Sequence, residues 1–451
     1  MNETHTTALT LLYDTWGPDR LSDCALAFAK LGILDIAGCI IAGAPTETAT
    51  TVRALVGEQG PGSGASIFGT SESASPAFAA LANGVAGHVL DYDDMNSTTL
   101  THPSAVLVPA IFALAESLGK SGAEVVSAYV LGFEITGHMG RTMVPHHYNQ
   151  GWHSTSSIGI FGAAAACARL LGLDTRAALN ALAIAASNSA GLRSNFGTMT
   201  KSLHAGQAAE GAVRAAQLSA RGFTANPNVF DAAGGYFDAY GRNAEPRPLP
   251  AGLEIESSGI GIKPYACCGA GVSVIDAAVD LHAAHSLAGT KIESVEVVLS
   301  PMATSIMPFH EAADGLQAKY SLAYCAAVGL LDGKGGLAQF EDERVAGADV
   351  RGLVKNTVVR ADPRMASGAG RFGVEMTVKL AGGKKVSTRL EIPRGHPTRK
   401  LEDDLQRAKF LECAAPVVGE RSASEAVEML GDLERLPRLD ALIALLCRDK
   451  S

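Results

Sequence analysis

Residues 104–118 read Ser-Ala-Val-Leu-Val-Pro-Ala-Ile-Phe-Ala-Leu-Ala-Glu-Ser-Leu, and residues 161–168 read Phe-Gly-Ala-Ala-Ala-Ala-Cys-Ala. Apolar residues three and four apart predict a helix in the first, and small residues dominate the second. The same spacing runs through Leu21–Ala42, Pro76–Leu90, Gly122–Thr142 and Ala205–Arg221. Small faces let helices pack closely, so the first two-thirds of the chain predicts a compact all-helical domain with buried central helices.

The pattern changes after about Pro248. Ile292–Leu299 carries β-branched residues near period two, as do Val374–Leu380 and Val386–Ile392. Ala381-Gly-Gly-Lys-Lys385 separates the last two, which predicts a hairpin. A helical stretch, Ala318–Leu331, lies between the strands. The expected architecture is mainly α: helical residues 1–261, a smaller α/β domain over 262–393, and a helical return over 394–451. Leu401–Cys413 and Ser424–Leu446 in that return would pack back onto the first domain.

Length and composition narrow the classes. At 451 residues the chain exceeds one ordinary core. With 47% hydrophobic and 18% charged residues it suits packed helix and not disorder. A net charge of −9 argues against nucleic acid and leaves any anion site to a few local Lys, Arg and His residues. The eight cysteines show no CxxC, and the adjacent pair Cys267-Cys268 is awkward for structural zinc, so reduced thiols in a cytoplasmic protein are expected. The first residues lack the basic region of a signal peptide. Lys30, Asp35 and Arg169 interrupt the most apolar stretches, which read as core helices and not membrane spans. Gly259-Ile-Gly-Ile262 is too short for a dinucleotide fingerprint, and no P-loop occurs.

Polar chemistry concentrates in four places. The first runs from His88 through Asp91-Tyr-Asp93-Asp94 to Thr101-His102-Pro103-Ser104, between two apolar helices. Three acids within four residues repel unless compensated. A solvated interhelical loop is the plain alternative, and a magnesium site of the isoprenoid-synthase sort is weakened because Asp93-Asp94 is followed by Met-Asn-Ser. The second is His146-His147-Tyr148-Asn-Gln-Gly-Trp152-His153, a proton-transfer candidate or a surface loop. HxH and HExxH metal spacings are absent. The third, Asn195 to Gly206, places Lys201 and His204 just before a helix. The fourth, Gly261-Ile-Lys263-Pro-Tyr-Ala-Cys-Cys268, falls at the expected domain seam, a favoured place for a small ligand. Removing a proton next to a carboxylate needs a base, with cations or dipoles for the charge that develops. Lys201, Lys263, His102 and His153 supply these types without a metal. A partly desolvated lysine near other cations has its pKa lowered toward base or acid work.

These segments resemble the MmgE/PrpD family, which includes 2-methylcitrate dehydratases, cis-aconitate decarboxylases and iminodisuccinate epimerase. The matching stretches are His88…Asp91-Tyr-Asp-Asp94, Thr101-His-Pro-Ser104, His147-Tyr148…Gly151-Trp-His153, Phe196 to Gly206, Lys263-Pro-Tyr…Cys-Cys268 and Ala318-Lys-Tyr-Ser-Leu-Ala-Tyr324. They occur in family order over nearly the whole chain. The resemblance implies a large helical domain built from both chain ends, a smaller α/β lid, a homodimer, and an active site between the domains with no required metal. By similarity to the decarboxylase, Asp91, His102, His153, Lys201, Lys263 and Tyr324 fall at active-site positions. In the epimerase, Tyr148 and Lys263 match a proposed acid–base pair.

The candidate catalytic residues are therefore His102, Tyr148, His153, Lys201 and Lys263. Asp91, His204 and Tyr324 are the candidate substrate contacts, and no metal or cofactor is expected. Met95 stands where many relatives carry Thr, and Val272 where the Lys263 motif commonly reaches a His. The expected activity is a cofactor-independent lyase on a small di- or tricarboxylic acid, dehydrating or decarboxylating it. The alternatives are a two-base epimerase of an iminodisuccinate-like acid and a carboxylate-binding relative without activity.

Overall fold

The computed structural model describes residues 4–17, 20–59, 62, 64–242, 244–366 and 372–448. Its first half is a stack of helices around Ser104–Leu118, which is buried from Ser104 to Ala115. Gly119, left-handed at φ 65°, ends that helix where a side chain would be strained. Gly122–Met143 follows, started by a capping box in which Ser121 and Glu124 satisfy each other's backbone N–H. Asp23–Gly43 is long and apolar enough to cross a membrane by length and composition. However, 67% of that window is buried inside the fold, and its Asp35 is paired with Lys409 of the C-terminal helix Asp403–Val418.

Pro76–Val89 and Met199–Ala220 pack antiparallel and carry the functional loops at one end. They touch through glycine: a Cβ on Gly84 would lie 2.7 Å from the Gly206 Cα. The second of these helices starts at Met199, six residues before the Ala205 expected from periodicity. Lys201 and His204 therefore sit on its first turns and not in a loop.

The later part holds a four-stranded sheet in the order Thr357–Ala361, Ile292–Leu299, Val374–Leu380, Lys385–Leu390. The first pair is parallel, with Val295 opposite Thr357, and the others are antiparallel, with Val297 opposite Met376 and Val378 opposite Val386. Val374, Met376, Val378 and Leu380 point inward in strict alternation. Gly382 and Gly383, at φ 86° and 85°, make the expected hairpin turn. Gly269–His285 and Leu322–Asp332 cover the sheet and press together where Gly329 meets Ala278.

One expected helix is broken. Ala318–Leu331 has continuous helical spacing, yet the chain forms Gly315–Ala318, leaves the helix over residues 319–321, and restarts at Leu322. Ser321 adopts extended geometry, and its hydroxyl accepts the Tyr324 N–H, an N-cap that outweighs helical propensity. The C-terminal helices Asp403–Val418 and Glu420–Gly431 pack on Asp23–Gly43. Lys409 also donates to the Tyr92 carbonyl at 2.6 Å, tying this late helix to the Asp91 loop.

Candidate active site

Asp91 follows the last turn of Pro76–Val89 in a left-handed conformation, φ 51°. Few non-glycine residues adopt it, and those that do cluster where neighbours over-determine the backbone. Here three donors fix the carboxylate. Lys201 Nζ donates to Oδ2 at 3.0 Å, Tyr320 donates its phenol proton to the same oxygen, and Lys263 Nζ donates to Oδ1. Lys263 also reaches the Asp91 main-chain oxygen at 2.8 Å. All four side chains are buried. Burial, the largest influence on Asp91, opposes ionisation, but Lys201 and then Lys263 outweigh it and hold the carboxyl well below its usual range. Burial likewise opposes charge on Lys263, and Asp91 followed by Asp93 reverses it, so this amine is raised above the ordinary lysine value. The expectation of a lowered lysine thus fails for Lys263: its nearest neighbour is a carboxylate.

Four imidazoles line up beside this cluster. Asp93 Oδ2 is 2.8 Å from His88 Nδ1 and 3.2 Å from His102 Nδ1. The first contact is aligned as a hydrogen bond, and the second is a close approach without that alignment. His88 stacks on His153 at 5.6 Å, and His153 Nδ1 meets His204 Nδ1 at 3.1 Å. One nitrogen in that last contact must lack a proton, because two N–H groups cannot share a hydrogen bond. Burial, ahead of the neighbouring charges, lowers His88 to about 3 and His204 to about 4. It depresses His102 as well, and His153 strongly. The row is neutral at physiological pH.

His88, Asp93 and His102 bring three ligand-type atoms within 4.8 Å of one another. Atoms sharing a tetrahedral zinc at about 2.1 Å would stand about 3.4 Å apart. The 2.8 Å between His88 Nδ1 and Asp93 Oδ2 is shorter than that and is a proton-bridged distance for that pair of atoms.

Tyr148 completes one side of the site. The Arg193 guanidinium lies 4.1 Å over its ring and donates to its main-chain oxygen at 2.8 Å. Its hydroxyl has no hydrogen-bond partner among the described residues, and its charge neighbours are Cys268, Arg193 and Asp91. Burial pushes that phenol up. His88, Asp91, Lys201, Lys319 and Tyr320 line one small pocket. The site draws Asp91, the histidines and Lys201 from the helical first part and Lys263 and Tyr320 from the later part.

The family model of the MmgE/PrpD N-terminal domain matches residues 13–249, and that of the MmgE/PrpD C-terminal domain matches residues 265–434. The chain belongs to the MmgE/PrpD family. Its similar relatives include the cis-aconitate decarboxylases of Mus musculus and Homo sapiens, each 27% identical over 95% of this chain and 90% and 91% of their own lengths. The cis-aconitate decarboxylase of Aspergillus terreus is 26% identical over 96% of this chain and 94% of its own.

Within this MmgE/PrpD chain, seven of the eight candidate residues gather around Asp91: His102, Tyr148, His153, Lys201, His204, Lys263 and Asp91 itself. Tyr324 is not brought in. Its hydroxyl donates to the Gln339 main-chain oxygen, and its ring lies against Phe340. The helix break puts Tyr320 on Asp91 instead. Sequence reading also passes over His88 and Asp93 as separate candidates. The signal was present in their spacing, since a His on the last helical turn can fold back on an acid five residues later. Met95 and Val272, the two departures from family pattern, line one small apolar pocket with Ile262, Phe372 and part of Lys263.

Proposed function

We propose that this chain is a lyase of a small di- or tricarboxylic acid that needs no bound cofactor. One observation carries the reading: ammonium and phenol donors fixed on Asp91 stand beside a buried row of neutral imidazoles, within one site. Neutral imidazole is the proton acceptor here, with His102 and His153 the candidates. Lys263 keeps its proton and serves as a cation or acid, and Tyr148 offers an unengaged hydroxyl on the Asp91 side.

In a dehydration, the base takes the proton from the carbon next to a carboxylate. That electron pair forms the double bond, and the β-hydroxyl leaves as water with a proton from Tyr148 or Lys263. In a decarboxylation, CO₂ leaves without the electrons of its C–C bond, and the carbon they remain on takes a proton. Decarboxylation of a cis-aconitate-like acid is put first because the similar relatives are cis-aconitate decarboxylases along nearly their whole lengths.

Proton NMR in D₂O with citrate, 2-methylcitrate, cis-aconitate and iminodisuccinate tests it. An unsaturated acid or CO₂ is the expected product. Deuterium exchange at the α-carbon with neither would replace the reading by epimerisation, and no change with any acid would leave only binding.

A further inference from the structure

Lys201 and Lys263 are both ion-paired with Asp91, so the charge of each is already countered within the protein. The charges of the cluster are already balanced: Asp91 and Asp93 face Lys201 and Lys263, and the imidazoles are neutral. A third lysine lies in the same pocket. Lys319 is 5% exposed, and the helix break over residues 319–321 turns it inward beside Tyr320. Its Nζ donates to the Ala266 main-chain oxygen at 2.9 Å and stands 4.6 Å from the centre of the Phe340 ring. It forms no ion pair with the described residues; Asp91 and Glu341 act on it through space only.

An ammonium carries three donors, and a single hydrogen bond leaves two. A buried charge without a counter-ion is costly, and a perturbed ionisable group facing a cleft is a functional-site candidate. Burial draws this amine down to about 8, against the pull of Asp91, which leaves it mostly protonated at neutral pH. Lys319 lines the small pocket it shares with Asp91, Lys201 and Tyr320. It also lines the open groove that Val89 and Leu316 share with that pocket. It is a cation with free donors where solvent meets the site.

We infer that Lys319 is the residue that receives a carboxylate of the substrate and orients the acid against the Asp91 cluster. This rests on the polycarboxylate reading proposed above. Lys201 and Lys263 then act on the reacting end of the acid, and Lys319 holds an end that does not react.

Calorimetric titration of the full chain with cis-aconitate and with crotonate, its analogue bearing one carboxylate, tests the assignment. The wild type binds cis-aconitate more tightly than crotonate. Lys319→Met weakens cis-aconitate at least 30-fold in Kd and KM, changes kcat less than 10-fold, and narrows the difference between the two acids. Its melting temperature in the absence of ligand stays the same or rises, because the buried charge that is lost has no counter-ion to leave behind. Lys319→Gln, which keeps a donor for Ala266, falls between. If Lys319→Met melts lower but binds cis-aconitate as the wild type does, the lysine is a structural tie and the inference is overturned. If the wild type itself binds none of cis-aconitate, citrate or 2-methylcitrate, the polycarboxylate reading fails first and takes this one with it.

Discussion

Gly84 and Gly206 face each other across two antiparallel helices, with room for no side chain between them. That contact sets the distance from Asp91, just past the end of one helix, to Lys201, on the first turn of the other. A methyl group on Gly84 would meet backbone, which cannot rotate away, so the helices must part. Gly84→Ala is expected to cost about 1–3 kcal/mol in urea unfolding. Turnover should fall as well, because the same displacement loosens the Lys201–Asp91 bond. Unchanged stability in Gly84→Ala would mean that the helices separate freely and do not set the site.

Asp91 compensates two buried ammonium groups at once. Removing one partner of a buried pair typically costs about 3–5 kcal/mol, chiefly from the charge left behind. Asp91→Asn should therefore destabilise by that order. Adding Lys201→Met to it should recover part of the loss, since one stranded cation is removed. A double-mutant cycle in urea measures the coupling. Strictly additive losses would show that Asp91 and Lys201 do not interact in solution.

The fold should be acid-sensitive through two overlapping windows. His88 and His204 are held near 3 and 4, below the ordinary 6.5, so the unfolded chain binds protons that the folded chain refuses. Stability then rises with pH wherever this holds, and it is lost as pH falls from about 6.5 toward 4 for His204 and toward 3 for His88. Asp91 works lower down. Its depressed carboxyl adds stability that is complete above the unfolded value near 3.9 and disappears as pH drops toward its folded value. Urea midpoints measured from pH 7 to 4 should decline, and His88→Gln should flatten the slope by about one proton. A level profile in the wild type would contradict buried neutral imidazoles.

The helical half is legible in the sequence because its signal is local: three- and four-residue spacing marks Ser104–Leu118 and Gly122–Met143 nearly to their ends. The hairpin is legible for the same reason, through Gly382-Gly383 between alternating strands. The pairings at Asp91 are not local. Its three partners lie 110, 172 and 229 residues away, and spacing carries no information over such distances. Ordered family motifs single out the two lysines but not what they bind. The third partner is hidden by a helix break that periodicity cannot show, since one serine hydroxyl decides it.

That break makes Tyr320 and Tyr324 a direct test. They stand on the two sides of Ser321. Tyr320 donates its hydroxyl proton to Asp91 Oδ2, the oxygen that also accepts Lys201. Tyr324 donates to the Gln339 carbonyl, with Arg344, Asp332 and Asp349 among its charge neighbours. Tyr320→Phe removes one of three donors that position the carboxylate and the lysines bound to it. Losses of about 10²–10⁴-fold are typical when a group that moves a proton is removed. A positioning hydroxyl should act through Lys201 and fall toward the lower end, with kcat reduced more than KM is raised. Tyr324→Phe should lose a buried hydrogen bond, about 1 kcal/mol of stability, and little turnover. Steady-state kinetics on the acid found by NMR, paired with urea unfolding, separates the two. Were Tyr324→Phe the inactive variant and Tyr320→Phe the silent one, the helix would run unbroken through Ser321 in the working enzyme, and Asp91 would have a different third donor.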